Sequence, residues 1–225
     1  MRLCPIVYRV ALLLSAVTLA WTIDSELEAI VYYLRHPQEQ FCSADFAVSA
    51  EVLAKNQTKD GDNKQIRVYD LKILHIYKGG DKLHNTEDIR VNSSGEIGLF
   101  TKAYTVAVKP LINSTVYLLT GSIRKEKIQL NLGSWIHEWP DVTTEQRAGI
   151  SGIYAQNCKC QITPCFGEAG CDQLLKGCDV SRRRLREFYQ GCEWRHSYCL
   201  KNSEATACSW RETAGYKNCT SQALP

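Results

Sequence analysis

The cysteines of this chain are distributed so unevenly that they set its architecture. Between Cys42 and Cys158 there is none, whereas nine fall in the 62 residues from Cys158 to Cys219. The long cysteine-free stretch has to hold itself together by burying a core. The stretch after it is too short and too polar for that and needs crosslinks. The sequence therefore predicts two domains, residues 21–158 and 159–225, with the boundary near Cys158 to Cys160.

The other cysteines point to an oxidising compartment. Arg2 and Arg9 precede and flank the apolar run Val10–Ala20, and Thr18-Leu19-Ala20 supplies a small-x-small cleavage site. This is the pattern of a secretory signal peptide, residues 1–20. The run is too short to span a bilayer. Cys4 leaves with the leader, and the ten that remain (Cys42, Cys158, Cys160, Cys165, Cys171, Cys178, Cys192, Cys199, Cys208 and Cys219) are an even number in an exported chain, the mark of a disulfide framework. Zinc binding is the rival for Cys158-Lys159-Cys160 with Cys165, but zinc sites favour C-x2-C spacing and histidine partners, so no metal site is assigned. Four sequons, at Asn56, Asn92, Asn113 and Asn218, are candidate glycosylation sites of an exported surface. Residues 1–20 hold two arginines and no acid, so without them the formal charge falls from +3 to +1. Such a chain gives no electrostatic case for nucleic acid or a membrane surface as partner.

The cysteine-free stretch reads as β. Phe46, Val48, Ala50 and Val52 alternate with polar or small residues and share one face. Ile66 to Tyr77 is a long strand whose apolar phase shifts between Val68 and Leu71, as a bulge or burial on both faces would require in a small closed barrel. Weaker strands run Ile89–Val91 and Tyr104–Val108, and buried ones Val116–Leu119 and Ile128–Leu132. A helix closes the domain: Thr143 caps it, Gln146 completes a capping box, and it runs through Arg147 to about Tyr154.

His36-Pro37-Gln38-x-x-Phe41-Cys42 followed by Ala44-Asp45 resembles the start of the tissue inhibitors of metalloproteinases. Trp135-Ile136-x-x-Trp139, the gaps between Cys158, Cys160, Cys165, Cys171, Cys178, Cys199 and Cys208, and Cys208-Ser209-Trp210 extend the likeness over residues 30 to 211. It implies a mainly β protein: a netrin-like, five-stranded OB-type barrel with a flanking helix, and a small disulfide-rich C-terminal domain. It implies the bridges Cys42–Cys158, Cys160–Cys208, Cys165–Cys171 and Cys178–Cys199, leaving Cys192 and Cys219 to each other. It also implies a function, inhibition of extracellular zinc metalloproteinases. The mature chain of this family begins with Cys-x-Cys, whose α-amino nitrogen and first carbonyl oxygen chelate the zinc of the target protease and displace the water it would activate. Such an inhibitor needs no cofactor of its own.

This chain departs from that pattern where the chemistry lies. Ile30 and Tyr32 stand at the two cysteine positions. Their partner positions are empty too: Ser93 to Phe100 holds no cysteine, and Gly133 stands at the other. The residues in line to meet a protease are Ile30, Val31, Tyr32, Tyr33 and Leu34. The alternative is a non-inhibitory extracellular module that uses the barrel to hold a matrix or receptor partner. Arg182, Arg183, Arg184 and Arg186 form a basic cluster that is a candidate site for matrix glycosaminoglycans. No H-E-x-x-H, G-x-S-x-G or P-loop occurs, and His137-Glu138 lacks a second histidine, so no enzyme is expected. Trp135 and Trp139 read as packing residues.

Overall fold

Two long strands build the first wall. In the computed structural model, which describes residues 35–59, 65–86, 90–91, 99–105, 109–165, 177–181, 191–202 and 207–222, β1 (Phe46–Lys59) pairs antiparallel with β2 (Gln65–Lys78) along nearly its whole length. β3 (Arg90–Val91) is a short strand beside β4 (Leu99–Thr105), which lies on the far side of β2. β5 (Val116–Arg124) turns back through Lys125 and Glu126 into β6 (Lys127–Leu130). β6 runs parallel to β4, and β5 runs antiparallel to the first half of β1. The order β1-β2-β4-β6-β5 thus returns to β1 and closes a five-stranded OB-type ring. β7 (Ile136–Glu138) adds to β5 outside the ring.

On the β1 side the ring is filled by the four residues that alternation placed on one face. Phe46, Val48, Ala50 and Val52 point inward with Tyr69, Leu71, Ile73, Leu119, Ile128 and Leu130. Ala47 and Ser49, on the opposite face of β1, are buried as well. Both readings of the phase shift in β2 apply. Val68 and Tyr69 are buried side by side, and the β1–β2 register slips between Val52 and Ala54, opposite Leu71 and Asp70. A further slip between Ser49 and Ala50 leaves Leu74 unpaired on the outer face, half exposed. Beyond Val52 the ribbon has no β5 partner, and Lys55 to Lys59 project into solvent.

Asp45 fixes the start of β1. One carboxylate oxygen accepts from Lys82 Nζ at 2.6 Å and the other from Ile123 N at 3.0 Å. Lys82 is the first cause of the fall in the Asp45 pKa, followed by Ile123. Gly79, at φ 75°, lets the chain pass so close that a Cβ would lie 2.2 Å from Asp45 O.

The closing helix forms where its capping box lies. Thr143 Oγ1 accepts from Gln146 N and Gln146 Oε1 accepts from Thr143 N. A helix runs Thr144–Ala148, passes through a π turn, Gly149–Ile153, and ends with Tyr154–Gln156. Beyond it, β8 (Gln161–Cys165) pairs with β9 (Gly177–Ser181), and β10 (Ser197–Lys201) with β11 (Cys208–Glu212). Cys192–His196 and Ala214–Gln222 are helical. Cys160, Ile162, Cys178 and Cys199 form a second small core, with Cys208 and Trp210 against it. From His36 onward the described residues pack as one unit. No helix among the described residues is long and apolar enough to cross a membrane.

Candidate functional site

Immediately after the candidate contact residues, Pro37–Ser43 forms a short helix, α1. Proline at the first helical position costs no hydrogen bond there. His36 acts as N-cap: its Nδ1 accepts from Gln38 N at 3.2 Å, while Glu39 Oε2 accepts from His36 N at 3.2 Å. This is a capping box with an imidazole in place of the usual hydroxyl. An Nδ1 that accepts leaves the proton on Nε2, which faces Glu193 O at 3.3 Å. The ring is fully buried, 5.1 Å from that of Trp210. Burial holds its pKa down to about 4, against a smaller upward pull from the Glu193 carbonyl. His36 is therefore a neutral structural group at physiological pH.

Gln38 is the second anchor, 1% exposed. Its Nε2 donates to Cys199 O at 2.8 Å and to Asn157 O at 3.2 Å, and its Oε1 accepts from Cys199 N at 3.0 Å. The amide thus satisfies both backbone groups of one residue on β10, as a neighbouring strand would. Asn157 continues the row: its Oδ1 accepts from Lys201 N at 3.0 Å. At the other end of α1, Lys78 Nζ donates to the carbonyls of Phe41 and Cys42 at 2.8 and 2.9 Å, a common way to satisfy helix C-terminal carbonyls. Burial lowers the Lys78 pKa, Lys82 adds to this and Asp45 opposes it. Cys42 is bonded to Cys158, which ties α1 to the end of the closing helix.

Between barrel and cysteine-rich region lies a seam of rings. Phe41, Tyr154, Trp135, Trp194 and Tyr198 pack at centroid distances of 5.8 to 6.4 Å. Trp135 is buried there, while Trp139 is half-buried, stacked on Tyr77 and covered by the Arg147 guanidinium at 4.6 Å. Glu145 joins the same seam. Burial alone would raise its pKa, but the hydrogen bond to His196 Nδ1 at 3.0 Å and its other partners bring it down.

The remaining candidates fall into two groups. Ile30 to Leu34, Arg182, Arg183, Arg184 and Arg186, Cys171 and Asn92 lie outside the described residues, as does the residue 1–20 leader. Cys165 ends β8, but its pairing lies outside them too. Among the described residues four bridges are present: Cys42–Cys158, Cys160–Cys208, Cys178–Cys199 and Cys192–Cys219. The sulfurs of Cys160, Cys199 and Cys208 lie within 4.8 Å of one another. All three are oxidised in bridges, so the cluster offers no thiolate to a metal. Asn56, Asn113 and Asn218 are all exposed. Asn56 lies on the projecting ribbon, with Nδ2 donating to Asp70 Oδ2 at 3.2 Å. Gly133 sits in a turn, its N donating to Asn131 Oδ1 at 2.8 Å. The sequence reading missed three residues: His36 as a cap, Gln38 as an anchor and Lys78 as a clamp. Pro37 with Glu39 two residues on was the available signal for the first, since they occupy the N1 and N3 positions of a capping box.

Residues 28–210 match the family model described as tissue inhibitor of metalloproteinase. The chain belongs to that family. Among its relatives, metalloproteinase inhibitor 3 of Xenopus laevis is 30% identical over 176 residues, covering 78% of this chain and 77% of the relative. Metalloproteinase inhibitor 3 of Gallus gallus is 28% identical over 193 residues, 85% of this chain and 86% of the relative. The tissue inhibitor of metalloproteinase of Drosophila melanogaster is 28% identical over 192 residues, 83% of each. The matched span of the family takes in the barrel, α1, the seam and the second core, but ends before Cys219, so the Cys192–Cys219 bridge reaches beyond it.

Proposed function

We propose that this chain is a secreted metalloproteinase inhibitor-like protein that docks on extracellular zinc metalloproteinases through Ile30, Val31, Tyr32, Tyr33 and Leu34. The observation that carries this reading is the fixed entry to α1. His36 and Gln38 are buried and hydrogen-bonded two and four residues after Leu34. A segment leaving a rigid anchor loses less entropy when it binds. Zinc chelation by the backbone needs a free α-amine on Ile30. If other residues precede Ile30, its nitrogen is an amide with no basic lone pair, and docking rests on side chains filling the cleft.

The test is a titration of a purified matrix metalloproteinase with the secreted chain, paired with its N-terminal sequence. The expected result is saturable inhibition, with chelation only in product beginning at Ile30. Absence of inhibition at micromolar concentration sinks the reading. The Ile30 and Tyr32 substitutions favour the second reading, a non-inhibitory module holding a matrix or receptor partner, and that outcome would leave it standing. Arg182, Arg183, Arg184 and Arg186 are proposed to hold sulfated glycosaminoglycan. Their replacement is expected to abolish retention on heparin, and unchanged retention would dismiss them.

A further inference from the structure

We propose that the cysteine-rich region is a working part of the docking end, with His36 and Gln38 as positioning residues that clamp the start of α1 to it. The functional half of this proposal rests on the inhibitor reading above; the structural half stands without it.

The contacts divide α1 by its ends. A helix of seven residues cannot fix itself, because nucleation is costly and few turns follow. Its C-terminal end is held by the barrel domain, through Lys78 and the Cys42–Cys158 bridge. Its N-terminal end is held mainly by residues after Cys158. His36 Nε2 meets Glu193 O, the His36 ring packs on Trp210, and Gln38 binds both the N and the O of Cys199. Cys199 is itself pinned by Cys178, and its sulfur lies in the cluster with Cys160 and Cys208. The pose of the residue entering α1 is thus set by crosslinked backbone 157 to 161 residues away in sequence.

The sequence gives this clamp unusual weight here. The resemblance set out above implies two further bridges, which would begin at the Cys-x-Cys and hold the docking strand directly. In this chain Ile30 and Tyr32 occupy those positions, Gly133 occupies one partner position, and 93–100 supplies no cysteine. The anchorage that the resemblance places in the strand falls here to the helix behind it. Preorganisation of the docking end therefore passes through the C-terminal region.

The experiment uses the full chain and three variants. Gln38→Met keeps the length of the side chain and removes its three hydrogen bonds. His36→Asn keeps a capping acceptor and removes the ring and the link to Glu193. Tyr198→Phe is the control: it deletes a hydrogen bond of 2.9 Å to Glu145 O elsewhere in the same seam. Amide hydrogen exchange at Gln40 and Phe41 is read without protease, and the inhibition constant with it. Gln38→Met is expected to speed exchange and weaken inhibition, each by about tenfold, the size of one lost buried hydrogen bond. His36→Asn should move both in the same direction. Tyr198→Phe should lower the unfolding midpoint and leave both readouts unchanged.

Unchanged exchange at Gln40 and Phe41 in both Gln38→Met and His36→Asn overturns the clamp, whatever the protease result. Faster exchange with an unchanged inhibition constant overturns the positioning role and leaves the inhibitor reading intact. A wild-type chain that does not inhibit defeats the inhibitor reading and the positioning role together, and the exchange data then decide the clamp alone. Equal loss of inhibition in Tyr198→Phe reduces the effect to general destabilisation and overturns it too.

Discussion

At the scale of single residues, His36 makes stability depend on pH in a defined window. Its folded pKa, about 4, lies below the ordinary value of 6.5, and desolvation is the main cause. Above pH 6.5 both folded and unfolded chains hold it neutral, and its contribution is complete. As pH falls through the window toward 4 the unfolded chain takes up the proton first, so stability is lost, by about 3 kcal/mol at the lower end. Protonation would also set an N–H against Gln38 N. Neighbouring groups act in the same range: burial lowers His137 as well, with the same sign, while burial raises the Glu193 carboxyl, with the opposite sign. The informative quantity is therefore a difference. Urea unfolding at pH 7 and pH 4.5 should show the wild type losing about 2 kcal/mol more than His36→Asn. Equal losses would mean that His36 does not titrate as described.

At the scale of elements, the closing helix offers a test by sign. Glycine to alanine in an ordinary helix interior stabilises by about 0.5–1 kcal/mol. Here a Cβ on Gly149 would lie 2.3 Å from the ring of Tyr154, which is fully buried. Gly149→Ala is expected to destabilise by about 1–3 kcal/mol, as overpacking does, and a stabilised variant in a denaturant titration would refute the packing account. Thr143 and Gln146 announced this helix through short-range capping chemistry. They did not announce the π turn at Gly149–Ile153, which capping chemistry one turn earlier does not encode. Likewise Phe46, Val48, Ala50 and Val52 revealed the barrel face by alternation alone. The pairing of β4 with β6 joins residues far apart in sequence and leaves no periodic mark. The entry to α1 was half legible. His36 to Cys42 pointed to the family, but Gln38 reads as any polar residue until β10 is set beside it, because its partners are backbone atoms of Cys199.

At the scale of the whole molecule, bridges hold what the second core cannot. Cys192–Cys219 closes a separation of 27 residues, worth about 3–4 kcal/mol in the loop-entropy model. Replacing both cysteines by alanine should lower the unfolding midpoint accordingly while the far-ultraviolet signal of the barrel persists below it; loss of the barrel signal at all temperatures would contradict that independence. Cys42–Cys158, at a separation of 116, has a larger effect in the same model, about 4–5 kcal/mol. That bridge has a mechanical consequence as well. A pull applied to the two ends of the chain, as between a matrix tether and a bound partner, passes from α1 through the Cys42–Cys158 sulfurs directly into the cysteine-rich region. The strands of the barrel lie in a covalent side loop and bear none of the tension. Stretching can unfold the seam around them, but it cannot unzip β1 from β2 or β5 until the sulfur–sulfur bond is broken.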